Sequence, residues 1–245
     1  MGHKTFHVLE NNPAVMNHLA RTLGLSPALA FHDVYSLTDP DLLALIPRPV
    51  HALLVIMPLT PTWHAARTAE DQDRPQYEGS GDGEPVIWFK QTIGNACGSI
   101  GLVHCLLNGT AAQYVTPGST LDQIRTDALP KKMGDRAKVL EESAEFERAH
   151  EEAAMLGDTP APTLAGHEHM GQHFVAFVKG KDGHLYELEG AGGRKGPLDR
   201  GALKEDEDVL SPAALEMGLG GLMKIEAEAG GDLRFSATAL AESFD

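Results

Sequence analysis

A single mixed α/β (α+β) domain is the fold class that this sequence predicts, on three observations. Helix-periodic segments and short apolar runs alternate along the whole chain, with no composition break, internal repeat or heptad run. The 245 residues fit one large domain, residues 1–245. Hydrophobic residues make up 42% and charged residues 22%, a globular balance rather than a disordered one. A chain of this size buries roughly 70–75% of its unfolded surface, so it needs no disulfide or structural metal to fold.

The first helix is marked by Asn12 as cap, Pro13 at its first position, Val15, Leu19 and Leu23 along one face, and Gly24 as its stop. A second helix opens at Asp39-Pro40 and ends before Pro47. VHALLVIM at 50–57, bounded by Pro49 and Pro58, reads as a buried central strand. Thr60-Pro61 starts a helix over 60–70, and the polar, Gly-rich stretch 71–84 reads as a mobile loop. VIWFK at 86–90 is predicted as a short strand, followed by a helix from Ala96 to Leu107. Ser119 to Asp122 has the capping-box pattern before a short helix.

Asp135 to Leu156 is Ala- and Glu-rich and helical, in two pieces with Ser143 at the break, and 157–171 is a loop. HFVAFVK at 173–179 and HLYELE at 184–189 form a hairpin, with Asp182-Gly183 as the turn signal. Ser211-Pro212 opens a helix to about Ile225, and LRFSATAL at 233–240 is a final strand.

Lys and Arg number 20 against 35 Asp and Glu, a formal net charge of −15. That balance argues against nucleic acid or an anionic membrane as partner and favours a basic or neutral one. The two cysteines, Cys97 and Cys105, lie eight residues apart on one predicted helix. That spacing is a rise of ~12 Å, too long for a disulfide, so both are expected reduced, as in a cytoplasmic or nuclear protein. Residues Met1 to Glu10 lack the apolar core of a secretory signal, and the longest apolar stretch, Ala52 to Leu59, is far short of a membrane span.

The most informative stretch is KQTIGNACGSIGLVHCLLN at 90–108. It places Cys97 where a loop becomes a helix, and the dipole and unpaired N–H groups of a first turn favour the thiolate. Gly94 and Gly98 leave room for a substrate backbone, and Gln91 could donate its amide to an oxyanion. Equally, Cys97 could be a buried structural cysteine. A thiol nucleophile needs a base, and twelve histidines leave that choice open. His173 begins an apolar strand, and Glu189 stands at the far end of its hairpin partner, where a carboxylate could orient the ring. Both could also be ordinary strand-end residues. His167, His169 and His173 cluster with Glu168, but not in the H-E-x-x-H spacing of a zinc hydrolase. His104 and Cys105 read as core residues of an amphipathic helix.

At these residues the chain resembles the ubiquitin carboxyl-terminal hydrolases of the UCH family, papain-like thiol hydrolases. QTIGNACGSIGLVH at 91–104 is close to the family's nucleophile signature, and HFVAFV with DGHLYELEG, within 173–190, is similar to its His and carboxylate strands. Residues 9–25, 31–60 and 232–240 are also similar to family segments, so the likeness runs nearly end to end. The resemblance implies a papain-like UCH domain: a central, mostly antiparallel β-sheet flanked by helices, with a crossover loop at 152–170 over the active site. It implies thiol-dependent hydrolysis of esters, thioesters, amides and small adducts at the C-terminal glycine of ubiquitin. Cys97 is then the nucleophile, His173 the general base and acid, Glu189 its orienting carboxylate and Gln91 the oxyanion donor. No cofactor or metal is implied.

Expected ubiquitin contacts are His7, Val8, Leu9, Glu10, Asn11, Asn12, Leu233, Arg234 and Phe235, extending to Ala237, with a ubiquitin-like protein as the variant partner and a monomer as the expected state. Two departures stand out. The family usually has Asp where this chain has Glu189, and the interval from His173 is one residue longer, a residue assigned to the Gly180–Gly183 connection. A ubiquitin-binding module with weak catalysis, because Glu189 misplaces His173, is the alternative reading.

Overall fold

The computed structural model describes residues 4–158, 171–191, 193–231 and 233–244. Local sequence signals set most helix ends. Asn12 Oδ1 accepts the Val15 amide at 2.9 Å and Gly24 turns out of α1 (Pro13–Leu23) at φ 114°. Asp39 caps α2 (Pro40–Leu43) and Thr60 caps α3 (Pro61–Asp71). Next come α4 (Cys97–Leu107) and α5 (Thr120–Ala128), the latter capped by Ser119. The expected two-piece helix is α6 (Met133–Glu142) and α7 (Ala144–Ala154), with Ser143 capping the second piece. After the Ser211 cap follow α8 (Pro212–Met217) and α9 (Leu219–Glu228).

The strands are β1 (Leu29–Asp33), β2 (Ala52–Pro58), β3 (Gln172–Lys179), β4 (His184–Leu188), β5 (Leu198–Ala202) and β6 (Ser236–Glu242). They form one sheet in the order β1-β6-β2-β3-β4-β5, every neighbouring pair antiparallel. Because successive side chains alternate between faces, β2 feeds two cores. Ala52 and Leu54 pack with Leu19, Leu102 and Phe146 from α1, α4 and α7. Leu53, Val55 and Met57 pack with Trp63, Leu215 and Leu222 from α3, α8 and α9. A strand covered on both faces reads as an unbroken apolar run, which is why 50–57 was legible.

Several expectations are corrected. Residues 86–90 form no strand: Ile87 N–H and C=O bond to the Asn108 side chain at 2.7 and 3.0 Å, and Phe89 N–H donates to His104 Nε2 at 2.9 Å. The side chains of His104 in α4 and of Asn108 just after it thus replace the partner strand. That helix is buried nearly all round rather than amphipathic, with Cys105 and His104 fully buried. The helix expected over 211–225 is broken at Gly218, where a Cβ would lie 3.0 Å from the Phe177 ring. The last strand starts at Ser236, not Leu233. β1 and β5 were not anticipated. Only Leu198 of β5 is fully buried, so the strand has no apolar alternation to read.

The stretch 71–84 is irregular, as composition suggested, yet it is tied down. Glu84 is buried and pairs with fully buried Arg136 through contacts of 2.7 and 3.0 Å, and Tyr77 Oη donates to Glu84 at 3.1 Å. Removing one partner of such a pair strands a buried charge, so Arg136→Met should cost about 3–5 kcal/mol in urea denaturation. Burial also holds two structural histidines neutral: His104 is lowered from 6.5 to about 3 and His150 from 6.5 to about 4. A lowered folded pKa means stability that is present above pH 6.5 and lost as pH falls toward 4, at ~1.4 kcal/mol per pH unit for each group. Unfolding free energies from urea denaturation should fall as pH drops below 6.5 toward 5, and His150→Gln, which removes one such group, should lessen the fall.

Candidate active site

Three element ends meet at the site. Cys97 opens α4, His173 is the second residue of β3, and Glu189 follows the last residue of β4. The hairpin register pairs Ala176 with Leu188 and Lys179 with Leu185. By strand alternation His173 and Glu189 therefore stand on the same face, that of α3. His173 Nε2 lies 3.5 Å from Glu189 Oε1. That is an ion-pair distance, longer than a hydrogen bond. The turn at Gly180–Gly183 keeps both strands paired, closed by Gly180 N–H to His184 O at 2.8 Å, and Gly183 takes φ 82°. The additional residue of the interval is therefore compatible with unbroken pairing of the two strands.

Glu189 is also held by its backbone. Trp88 Nε1 donates to its carbonyl at 3.0 Å, and Gln91 N–H donates to Gly190 O at 2.6 Å. A Cβ on Gly190 would come within 2.9 Å of Phe89 O, so this crossing demands glycine. Gln91 and His173 share a cleft of ≈ 270 Å³ with Thr92, Ile93, Gly94 and Ala191. The Gln91 amide donates to Ile93 O at 3.0 Å, leaving its second N–H for another acceptor. A larger hollow of ≈ 440 Å³ is lined by Glu189 with Trp63, His64, Arg67 and Arg194, whereas those of ≈ 650 Å³ between α5 and α6 and ≈ 900 Å³ beside the β3–β4 turn contain none of these groups.

The glycines of the loop serve a different purpose from the one expected. A Cβ on Gly94 would meet Thr5 at 2.8 Å, and one on Gly98 would meet Leu9 and Phe174 at 3.2 Å. They admit the protein's own N-terminal segment. That segment bonds along the loop through Phe6 N–H to Gly94 O at 2.9 Å and Gly94 N–H to Lys4 O at 2.8 Å. Asn95, at φ 57°, makes the turn into the helix.

The electrostatics correct the thiolate expectation. The N–H groups of Phe174, Gly98 and Cys97 favour the anion, but burial is the larger effect and pushes the Cys97 thiol up. His173 falls from 6.5 to about 4 through burial, then through Arg67, His64 and Arg194. Glu189 rises from 4.5 to about 7 because burial outweighs the pull of Arg194 and Arg67. Burial therefore opposes the charged form of both Cys97 and His173, raising the thiol and lowering the imidazole. Cys105 is buried, with burial raising its thiol, and its sulfur faces Leu53 O at 3.7 Å.

The expected partner contacts divide. His7, Leu233 and Arg234 are exposed, and Val8, Glu10, Asn11, Asn12 and Phe235 are partly so. Asn11 joins the two segments by donating to Ser236 O at 3.1 Å and accepting from Thr238 Oγ1 at 3.1 Å. Leu9 and Ala237 are buried in the two cores, 2% and 7% exposed, and cannot meet a partner. Of the crossover segment, 152–154 belongs to α7, and 159–170, with His167 and His169, lies outside the described residues. Among the described residues no group of three or more His, Cys, Asp or Glu could hold a metal. No helix there is long and apolar enough to cross a membrane.

Sequence reasoning missed the basic groups behind Glu189. Arg67 from α3 and Arg194 from the loop after β4 are both about 95% buried against it. Their only signal was the position of Arg67 on the α3 face that looks inward.

Known proteins give the same frame. The family model described as ubiquitin carboxyl-terminal hydrolase, family 1, matches residues 6–218. Ubiquitin carboxyl-terminal hydrolase 3 of Arabidopsis thaliana is 38% identical over 195 residues, 79% of this chain and 78% of that protein. Ubiquitin carboxyl-terminal hydrolase isozyme L1 of Monodelphis domestica is 33% identical over 233 residues, 95% of this chain and 96% of that protein. The catalytic domain of Trichinella spiralis UCH37, solved bound to ubiquitin vinyl methyl ester, superposes with a TM-score of 0.70 at 20% identity, over 98% of this chain and 96% of that one. With the family model spanning most of the chain and two relatives above 30% identity, the chain belongs to the ubiquitin carboxyl-terminal hydrolase family 1, the cysteine-type hydrolases that act at the C-terminus of ubiquitin.

Proposed function

We propose that Cys97 is the nucleophile of this hydrolase, His173 its general base and acid, Glu189 the carboxylate that orients His173, and Gln91 the oxyanion donor. One observation supports the reading: the Cys97 thiol at the start of α4 meets the backbone of Phe174, the residue after His173, and feels the charge of Glu189, which lies 3.5 Å from His173, and His173 lines one cleft with Gln91.

The thiol proton moves to His173 as Cys97 Sγ attacks the carbonyl carbon of the C-terminal glycine of ubiquitin. The oxyanion that forms accepts the second N–H of Gln91 and the Cys97 backbone N–H. Glu189 stabilises the imidazolium, which then protonates the leaving amine, alcohol or thiol as the C–N, C–O or C–S bond breaks. Water, deprotonated by the now neutral His173, hydrolyses the thioester and returns the thiol.

Ubiquitin is the preferred partner on this reading. The chain carries −15 net charge, which steers a basic tail, and His7, Leu233 and Arg234 stand exposed on two segments linked through Asn11. Small leaving groups, a monomeric state and a cytoplasmic site complete the proposal, the last supported by two free thiols.

Cys97→Ser should abolish turnover of a fluorogenic ubiquitin C-terminal amide and labelling by a ubiquitin C-terminal electrophile, while ubiquitin binding persists. Retained turnover near the parent rate would remove Cys97 from the role. Cys105→Ser should turn over normally. Glu189→Gln should lower kcat with little change in KM, because the lost interaction belongs to the chemical step. Glu189→Asp should retain substantial activity if β3 and β4 stay paired as described. A Glu189→Asp rate equal to that of Glu189→Gln would instead show that only the longer side chain reaches His173.

A further inference from the structure

We propose that Arg194 and Arg67 are positioning residues of this active site: together they hold one oxygen of Glu189 so that the other faces His173. The inference rests on the reading of Glu189 as the carboxylate that orients His173.

The two oxygens of the carboxylate have separate partners. Oε2 faces Arg194 Nε at 3.3 Å and Arg67 Nε at 3.6 Å, whereas Oε1 faces His173 Nε2 at 3.5 Å. A glutamate has one more rotatable bond than an aspartate, and its carboxylate can turn away from its target. Two guanidinium groups on a single oxygen oppose that turn. Both guanidinium groups are themselves ion-paired. Arg67 Nη2 meets Glu187 at 2.5 Å, Arg67 Nη1 meets Glu70 at 2.6 Å, and Arg194 Nη1 meets Asp71 at 2.9 Å and donates to Arg67 O at 3.2 Å. Arg200 of β5 closes the array on Glu187 and Glu70, each at 2.6 Å. Arg67 also lies 5.4 Å from the Trp63 ring centroid, and that ring is 6.2 Å from the His173 ring. The array therefore spans α3, β4, β5 and the loop after β4, and ends at the His173 ring.

The charges that act on Glu189 come from every element packed against it. Arg67 and Asp71 come from α3, Glu187 from β4, Arg194 from the following loop and His173 from β3. The two arginines favour its anion, and Glu187 and Asp71 oppose it. Both arginines also hold His173 toward its neutral form. Removing either cation therefore moves both groups in the same direction. Glu189 becomes harder to ionise and His173 easier to protonate, so the acid limb of activity moves to higher pH.

A double-mutant cycle with Arg194→Met and Glu189→Gln tests the inference, read as kcat, KM and the pH profile of kcat on a fluorogenic ubiquitin amide. Arg194→Met should lower kcat about tenfold with KM within about twofold, and shift the acid limb upward, because a misdirected orienting group costs rate rather than binding. Arg194→Lys, which keeps the charge, should restore the limb and part of the rate. In the Glu189→Gln background Arg194→Met should have no further effect on kcat at the plateau of the pH profile, although its direct action on His173 still moves the limb. An equal loss in both backgrounds, or an unmoved acid limb, would overturn the proposal. If Glu189→Gln is slow but Arg194→Met turns over at the parent rate, the positioning role fails while the role of Glu189 stands. If Glu189→Gln itself turns over at the parent rate, both fail. Should Arg194→Met not fold, the double variant, which removes both partners and strands fewer buried charges, is compared with Glu189→Gln alone. Equal rates support the proposal, and a slower double variant overturns it.

Discussion

The antiparallel register of β3 against β4 is the constraint on which the site depends. Its pairs, Ala176 with Leu188 through Lys179 with Leu185, decide which side chains share a face. A slip of one residue would turn every side chain of β4 to the opposite face. Glu189 would then enter the core of Leu19, Leu102 and Phe146, and Leu188 would face Arg67. The register is secured from both sides. Phe174, Ala176 and Val178 belong to one core and Val175 and Phe177 to the other, so neither face tolerates the exchange.

A second constraint is the cost of burying charge. Glu187, Glu189, Arg67 and Arg194 are each at least 95% buried around one corner of the sheet. Isolated ions at such positions would be prohibitive, so they occur as a connected array. The same burial that makes pairing obligatory also sets the chemistry. It lowers His173 and raises the Cys97 thiol, against the pull of the backbone N–H groups at the start of α4.

The N-terminal segment links the fold to the site. It crosses the loop before Cys97 through Lys4 and Phe6, and Leu9 fills the space beside Gly98. His150 of α7 bonds both Ser99 Oγ and His7 O, at 2.9 and 2.7 Å. The first turn of α4 is therefore fixed by residues far from it in sequence. This explains why its glycines, which looked like openings for substrate, are filled by the chain itself.

Much was determined by local sequence. The caps at Asn12, Ser119 and Ser143, the doubly buried strand at 50–57, the hairpin at 173–189 and the thiol at a helix start all follow from short-range rules of hydrogen bonding and periodicity. The candidate site residues were legible because each stands at an element boundary where its residue type breaks the local pattern. Other features were decided only by tertiary structure. Residues 86–90 have a strand's composition but find Asn108 and His104 instead of a neighbouring strand. β5 has little apolar alternation and pairs because β4 offers it an edge. The protonation of Cys97, His173 and Glu189 depends on burial and on Arg67 and Arg194, which stand 122 residues before and 5 residues after Glu189 along the chain; desolvation and charge proximity are properties of the packed state, and no local pattern of residues encodes them.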